Sequence, residues 1–213
     1  MNIQFSNVIP EPLSSIQHKS GSIWSADFTI KSGEKILLNA ASGKGKTTFT
    51  HLLMGIRSDY SGDIFFDGKN IESIMLDEWV GIRQNKIAVV YQDLQLFPEL
   101  TAIENVLIKS QLTQVLTINE IEFMFEQVGL VDKRNQLTGT LSMGQKQRVA
   151  IIRGLCQPFE WLILDEPFSH LDSENSSICL EIISVRCKNI KAGIILTSLD
   201  ENEISGFEKQ LKL

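Results

Sequence analysis

Short apolar runs divide the chain, and their length predicts buried strands. Four such runs stand out, at residues 35–39, 87–91, 161–164 and 194–196. Strands that are apolar along their whole length are covered on both faces, as in a central sheet that lies between layers of helices. The four runs therefore predict the strands of one buried central sheet.

Alternating apolar and polar residues predict a second sheet. Ile3 and Phe5 alternate with polar neighbours, a second alternation covers residues 24–30, and a third strand is expected at 64–66, before the turn pair Asp67-Gly68. Period-2 alternation is typical of half-buried strands. We expect these three segments to form an antiparallel sheet beside the loop that follows residue 39.

Residues 93–139 differ from the rest of the chain because helical patterns replace strand patterns. Segments 101–110 and 117–128 are both predicted to be helical, and Thr117 with Glu120 forms a capping box at the start of the second. We therefore expect a single domain, residues 1–213, in which a helical subdomain (93–139) is inserted into a core with a β subdomain (1–92 and 140–213).

A glycine-rich stretch, A-A-S-G-K-G-K-T-T at residues 40–48, joins the first apolar run to a predicted helix. The apolar positions of that helix are spaced i, i+3, i+4 and i+7, and they are Phe49, Leu52, Leu53 and Ile56. A chance glycine-rich turn is the alternative interpretation. A strand before the loop and a helix after it, however, are the context that a phosphate-binding loop requires.

The chemistry of this loop suits phosphate. Gly43 and Gly45 let backbone N–H groups turn inward and leave room for phosphate oxygens. The helix that begins near Lys46 adds free N–H donors and a positive dipole end. The Lys46 charge suits β- and γ-phosphates, and the Thr47 hydroxyl can ligate Mg²⁺. Lys44 is either a solvated loop charge or a second phosphate ligand.

Two further segments carry polar residues that need an explanation. Asp165 and Glu166 follow a buried strand directly, and two carboxylates there are costly unless they hold a metal or a water. A strand-end turn is the other interpretation. Ser142 and Gln145 form a second capping box, which begins a helix with Val149, Ile152 and Leu155 toward the core.

The bulk composition narrows the class of protein. The chain has 213 residues, 43% of them hydrophobic and 22% charged, as in an ordinary globular protein. No apolar run approaches the roughly 18 residues that cross a bilayer, and residues 1–10 lack the pattern of a secretion signal. Three cysteines without a C-x-x-C pair indicate reduced thiols in the cytoplasm. A net charge of −6 argues against a nucleic-acid partner.

These motifs, in their order, resemble the ATP-binding cassette (ABC) family, the nucleotide-binding subunits of ABC transporters. The order is the phosphate loop, Tyr91-Gln92, L-S-M-G-Q at 141–145, L-I-L-D-E-P at 162–167 and S-H-L-D at 169–172. The resemblance covers essentially the whole chain. It implies a P-loop ATPase core of the α/β class, with a mostly parallel central sheet, an antiparallel β subdomain and an inserted helical subdomain.

The resemblance also implies a role for each motif residue. Lys46, Glu166 and Gln92 are expected to be catalytic, with Glu166 as the general base for water. Thr47, Gln92 and Asp165 are expected to hold or sense Mg²⁺. The residues expected to wrap the ATP phosphates are Ala40, Ser42, Gly43, Lys44, Gly45, Lys46, Thr47 and Thr48. The residues expected to bind the γ-phosphate of ATP on the opposite protomer of a head-to-tail dimer are Ser142, Met143, Gly144 and Gln145.

The sequence departs from the family pattern at several positions. Ala40 replaces the first loop glycine, and Met143 replaces the first glycine of the signature. Leu199 stands where the family has a switch histidine, and leucine cannot donate a hydrogen bond to the γ-phosphate. The adenine-stacking aromatic is missing, with His18 the only flat ring in that region. His170 is either a stand-in for the lost histidine or an ordinary interface residue.

Three hypotheses for function follow. The leading one is an ATPase subunit that powers a transporter through a separate transmembrane permease, peripheral at the inner face of the cell membrane. Residues 96–106 resemble the lipoprotein-releasing and macrolide-export branch, and in that branch this segment grips the permease. The second is a hydrolysis-impaired, nucleotide-dependent binding module, which Leu199 and Ala40 favour. The third is a soluble cassette ATPase in DNA repair or translation, whose usual coiled coils and zinc modules are lacking here.

Overall fold

The computed structural model describes residues 1–15, 21–39, 43–198, 206–207 and 209–213. The strands are β1 Ile3–Pro10, β2 Phe28–Ile30, β3 Lys35–Asn39, β4 Tyr60–Phe66, β5 Lys69–Asn70, β6 Ile87–Val90, β7 Trp161–Asp165, β8 Gly193–Ser198 and β9 Lys209–Lys212. The α-helices are α1 Lys46–Leu53, α2 Leu76–Asn85, α3 Ala102–Thr113, α4 Ile118–Gln127, α5 Met143–Leu155 and α6 Ser173–Ile190. Within these described residues, short 3₁₀ helices lie at Glu11–Leu13, Ile71–Ser73, Val131–Lys133 and Thr138–Thr140.

The central sheet has five strands in the order β6-β7-β8-β3-β9, and every pairing in it is parallel. The four apolar runs form β3, β6, β7 and β8, which confirms the prediction. Strand β9 has no apolar run, because only Leu211 in K-Q-L-K is apolar, and its pairing with β3 could not be foreseen. Because all five strands run the same way, their carboxyl ends share one edge of the sheet.

The second sheet is antiparallel, in the order β2-β1-β4-β5, which confirms the predicted β subdomain sheet. The alternation at 24–30 is strand only at Phe28–Ile30. Trp24 lies in the preceding loop and is 2% exposed. Its indole N–H donates to the carbonyl oxygen of Lys44 at 3.3 Å. Burial against the glycine-rich loop, and not strand pairing, explains why an aromatic residue occupies position 24.

Two apolar layers cover the central sheet. Leu37, Leu164 and Leu196 pack on the side of α3 to α6. Their sheet neighbours Ile36 and Ile195 pack on the opposite side, with α1 and the antiparallel sheet. Strands β3, β7 and β8 are therefore buried on both faces, as their continuous apolar sequences predict.

The helices begin where their capping residues indicate. Side-chain hydrogen bonds at Thr101, Thr117 and Ser142 complete capping boxes at the starts of α3, α4 and α5. Residues 91–142, between β6 and α5, contain helices, loops and an isolated antiparallel bridge between Thr101 and Leu137. The boundaries of the helical subdomain at 93 and 139 stay a prediction.

Two helix predictions need correction or addition. Ile56 does not continue the buried face of α1, because the helix ends at Leu53 and Ile56 is 55% exposed. Gly55 turns the chain there, with φ at +59° and the Trp79 ring where a β-carbon would lie. Helix α2 was not foreseen, since Trp79 is its only buried residue and the apolar pattern is weak.

The three cysteines are buried and unpaired, in agreement with the expectation of free thiols. Burial raises the pKa of Cys156 and Cys187 to about 12 and that of Cys179 to about 11. These thiols are therefore packing residues without nucleophilic character at neutral pH. In the part of the chain that the structure describes, no helix has the length and apolarity to cross a membrane.

Candidate active site

The carboxyl edge of the central sheet brings distant parts of the chain together. Thr47, in the first turn of α1, and Asp165, the last residue of β7, are 118 residues apart in sequence. The Thr47 hydroxyl donates to Oδ2 of Asp165 at 3.0 Å. The glycine-rich loop and the paired carboxylates thus form one cluster, called here the strand-edge cluster, which consists of Lys46, Thr47, Gln92, Asp165, Glu166 and Thr197.

A buried ion pair lies at the centre of the strand-edge cluster. Lys46 Nζ is 3.1 Å from Oε1 of Glu166, and the two side chains are 6% and 9% exposed. Lys46 is the first residue of α1, directly after Gly45. Gly45 has φ at +100°, and a β-carbon there would lie 2.7 Å from Leu13 Cδ1. Only glycine suits that turn, so the loop geometry that presents Lys46 depends on Gly45.

Thr197 is a member of the cluster that no motif in the sequence predicted. Its hydroxyl donates to Oδ1 of Asp165 at 2.7 Å and accepts the backbone N–H of Glu166 at 3.1 Å. Asp165 is 1% exposed, and each of its carboxylate oxygens accepts a hydrogen bond from a hydroxyl group, one from Thr47 and the other from Thr197. Thr197 reaches the cluster because β8 lies beside β7, with Thr197 in register with Asp165.

Glu166 has an unusual backbone conformation. Its φ is +50°, in the left-handed region that non-glycine residues rarely adopt. The hydrogen bond from its N–H to Thr197 holds it there. Strained residues of this kind concentrate at functional sites, where the surrounding structure maintains them.

Gln92 reaches the cluster from the loop after β6. Its Nε2 lies 3.5 Å from Oε2 of Glu166. A cavity of about 660 Å³ opens beside it. The cavity is lined by Thr47, His51, Ile56, Tyr91, Gln92, Asp93, Gln95 and Asp165.

Of the remaining loop residues, some lie within the described part of the chain and some do not. Gly43 has φ at +75°, and both Lys44 and Thr48 are half-buried. Trp24 bonds the backbone of Lys44, not its side chain, so the role of the Lys44 charge stays a prediction. Ala40 and Ser42 lie outside the described residues, as do His18 and Leu199.

The second predicted binding segment, Ser142–Gln145, is a helix start that faces solvent. Gln145 Oε1 accepts the N–H of Ser142 at 2.9 Å, and Ser142 Oγ accepts the N–H of Gln145 at 3.3 Å. Met143 is 43% exposed, and Gly144 and Gln145 are half-buried. Among the residues that the structure describes, no hydrogen bond or ion pair connects this segment to the strand-edge cluster.

A buried glutamine fixes that helix start to the loop after Glu166. Gln147 is 1% exposed; its Nε2 donates to Ser169 Oγ at 2.9 Å, and its Oε1 accepts the N–H of His170 at 3.1 Å. A β-carbon on Gly144 would lie 2.8 Å from the His170 carbonyl oxygen, so the helix and the loop are in direct contact. The His170 side chain is exposed and bonds its neighbour Ser169, and its suggested role as a stand-in stays a prediction.

The residues present fit a magnesium ion. A hydroxyl and a carboxylate, from Thr47 and Asp165, already lie 3.0 Å apart beside the helix N-terminus. Mg²⁺ prefers such oxygen ligands and usually takes only one or two of them from protein, with the rest from water and phosphate.

Comparison with known proteins decides the family. The family model described as "ABC transporter" matches residues 24–169. The chain belongs to the ABC transporter family. The lipoprotein-releasing system ATP-binding protein LolD of Psychrobacter arcticus is 30% identical over 191 residues, which are 88% of this chain and 84% of that protein. LolD of Buchnera aphidicola is 33% identical over 174 residues, 80% of this chain and 76% of its own length.

Solved structures of ABC proteins share the fold. The dimeric bacterial ABC transporter cassette MJ0796 superposes with a TM-score of 0.77 at 24% identity and covers 99% of this chain and 94% of that one. A bacterial Atm1-family ABC exporter with ATP bound gives a TM-score of 0.76 at 21% identity and covers 100% of this chain but 36% of that one. The fold predicted from the motifs, an ABC ATPase cassette, is therefore confirmed.

Proposed function

We propose that this cassette binds and hydrolyses ATP and powers a transporter whose membrane part is a separate permease chain. The observation that carries the proposal is the strand-edge cluster. There Lys46 pairs with Glu166, and Thr47 with Asp165, in the surroundings that a nucleoside triphosphate requires. An inert domain has no need of a strained, buried glutamate beside a phosphate-binding loop.

Binding would begin with the triphosphate at the start of α1. The free N–H groups and dipole of that helix attract the phosphates, and Lys46 neutralises their charge. In doing so Lys46 exchanges its Glu166 partner for phosphate oxygens. Thr47 and Asp165 would hold Mg²⁺, which supplies further neutralisation of the β- and γ-phosphates when bound.

Glu166 would act on the attacking water. Once Lys46 has turned to the phosphates, the Glu166 carboxylate accepts a proton from water as that water attacks the γ-phosphorus. The bond from the γ-phosphorus to the β–γ bridging oxygen breaks, and ADP is the leaving group. Gln92, at 3.5 Å from Glu166, helps to orient the same water. Thr197 keeps Glu166 in place through its backbone N–H.

The second half of the site would come from another protomer. Ser142, Met143, Gly144 and Gln145 present a helix N-terminus to solvent, and such an end binds an anion. The related cassette MJ0796 is described as a dimer, and a second structure of it as a post-hydrolysis dimer with ADP and phosphate. We expect the ATP of one protomer to meet Ser142–Gln145 of its partner, in a homodimer or with a second ATP-binding subunit.

The names of the relatives support the proposal of a membrane partner. They are named as ATP-binding proteins of lipoprotein-releasing systems. For this chain we infer a peripheral position at the inner face of the membrane through the permease, and a cargo of lipoprotein, lipid or a hydrophobic small molecule. No nucleic acid is expected as a partner.

The second candidate is a nucleotide-dependent binding module with little turnover. Leu199 favours it, because leucine cannot give the γ-phosphate the hydrogen bond that histidine gives. Loss of one transition-state donor costs about 10²- to 10³-fold in rate, by analogy with oxyanion-hole variants.

Steady-state ATP hydrolysis separates the two candidates. Purified wild type, Leu199→His and Glu166→Gln are compared with Mg²⁺ present. Turnover in the wild type that is abolished by Glu166→Gln supports the ATPase. Negligible wild-type turnover that Leu199→His restores supports the binding module, and the absence of ATP binding in all three proteins contradicts both.

A further inference from the structure

The loop that follows Gln92 has a strained backbone. Leu94 and Gln95 have φ at +62° and +50°, in the region that side chains other than glycine rarely adopt. The N–H of Gln95 donates to the carbonyl of Asp93 at 2.7 Å, so Leu94 is the middle residue of a three-residue turn with positive φ. That is the rare, strained form of this turn, and it persists only where the surroundings hold it.

Arg153, near the end of α5, stabilises this strained turn. Its Nη2 donates to the carbonyl oxygen of Leu94 at 2.6 Å, and its Nη1 to that of Gln95 at 2.5 Å. The two acceptors belong to the two strained residues. A guanidinium is planar and charged, so it can bind two neighbouring acceptors in a fixed geometry that a lysine cannot reproduce.

The same turn of α5 also contacts the chain before Gln92. A β-carbon on Gly154 would lie 2.7 Å from Cγ2 of Val90, so helix and strand β6 touch at that point. Consecutive residues of α5 therefore contact the chain on both sides of Gln92. Gln92 in turn lies 3.5 Å from the Glu166 carboxylate.

We propose that Arg153 is the positioning residue for Gln92, and that it links the Gln92 loop to the helix that begins at Ser142–Gln145. The inference rests on the proposed function, in which Gln92 and Glu166 act at ATP. Helix α5 has 13 residues, and one rigid element of that length spans about 20 Å. Contact at its first turn with the nucleotide of another protomer would thus reach the Gln92 loop without any intermediate element.

The first test measures the loop and does not depend on activity. Hydrogen exchange is followed by mass spectrometry on peptides covering residues 93–97 in wild type, Arg153→Met and Arg153→Lys. We expect roughly tenfold faster exchange in Arg153→Met and an intermediate effect in Arg153→Lys. Arg83→Met is the matched control, because Arg83 also binds two backbone carbonyls, but those of Met54 and Gly55 at the end of α1. Unchanged exchange in both Arg153 variants overturns the proposal.

The second test asks whether Arg153 acts through Gln92. We expect Arg153→Met to lower kcat by roughly 10- to 100-fold with little change in KM, since a misplacement of about 1 Å can cost a hundredfold. The double variant Arg153→Met/Gln92→Ala should then be no slower than Gln92→Ala alone. Effects that multiply would show that Arg153 acts elsewhere.

Two further outcomes keep the proposal distinct from the proposed function. If the wild type hydrolyses no ATP, the proposed function fails, and the exchange experiment alone decides whether Arg153 holds the loop. If Arg153→Met does not fold, Gln95→Gly in the Arg153→Lys protein provides the test. Glycine tolerates the positive φ, so it should restore part of the lost rate. Failure to restore any rate counts against the positioning role.

Discussion

The strand-edge cluster and the signature segment Ser142–Gln145 both carry residues expected to contact ATP, but they differ in burial and in partners. In the cluster, Lys46, Asp165 and Glu166 are at most 9% exposed, and each already has a partner within the chain. In the signature segment, Ser142 and Met143 are exposed, and the capping hydrogen bonds stay within the first turn of α5.

The strand-edge cluster is already assembled without a ligand, whereas the signature segment is not. Buried charges need partners, so the cluster is built around the Lys46–Glu166 ion pair, whose lysine would turn to ATP, and around hydroxyl donors to Asp165. A solvent-facing helix start costs little without a ligand, because water satisfies its free N–H groups. We infer that the first region fixes where ATP binds, and that the second becomes a site only when another protomer supplies the nucleotide. Three substitutions probe this comparison, and a fourth tests a helix cap that lies outside both regions.

The largest effect on stability is expected from Lys46→Met. The change leaves the Glu166 carboxylate buried without its cation, and breaking a buried pair costs about 3–5 kcal/mol. Urea unfolding should show that loss. Lys46→Met/Glu166→Gln should recover much of it, because no uncompensated charge remains. Equal stability of Lys46→Met and wild type would contradict the importance of the ion pair seen at 3.1 Å.

Thr197→Val should have the next largest effect. It removes the hydroxyl that donates to Asp165 and accepts from the Glu166 N–H, and an unsatisfied buried group costs about 1–3 kcal/mol. We expect both a lower free energy of unfolding and weaker Mg²⁺-dependent ATP binding. Thr197→Ser keeps the hydroxyl and is the control. If Thr197→Ser behaves like Thr197→Val, the methyl group and not the hydroxyl is responsible.

Ser142→Ala tests the exposed half. Loss of an N-cap side chain costs about 1 kcal/mol, and Thr117→Ala should cost the same, because both residues complete a capping box. Only Ser142→Ala should weaken the ATP-dependent dimer, measured by size-exclusion chromatography in a Glu166→Gln background. Equal dimer populations in the two variants would remove Ser142 from the interface.

The smallest effect is expected on stability at acidic pH, from Asp172→Asn. Asp172 caps α6, and the backbone N–H of Asn175 holds the pKa of its carboxyl below the ordinary value. A lowered folded-state pKa gives a stabilisation that is complete above the unfolded pKa of about 4 and is lost as pH falls toward the folded value. Urea midpoints between pH 2.5 and 6, in steps of about half a unit, should fall less in Asp172→Asn, since asparagine caps without titrating. Parallel curves would exclude this contribution.

Much of the fold was predictable because its signals are local. Apolar runs of strand length marked β3, β6, β7 and β8, and capping boxes marked the starts of α4 and α5. The features that were not predicted depend on contacts with other segments. Strand β9 is largely polar, helix α2 buries only Trp79, and position 24 is apolar for a reason outside its own segment. No local periodicity reports such contacts.

For the candidate site, local sequence motifs are enough to name the residues that are expected to carry the chemistry. Four features can be identified without a structure. They are the loop glycines, a lysine at a helix start, paired carboxylates after an apolar strand and a capped helix start. Tertiary structure alone decided the partners of those residues. Thr197 bonds Asp165 because β8 lies beside β7, and Arg153 reaches the Gln92 loop because α5 crosses the end of β6. Hydrogen bonds between segments far apart in sequence depend on which elements pack together, and that is settled by burial of the whole apolar surface.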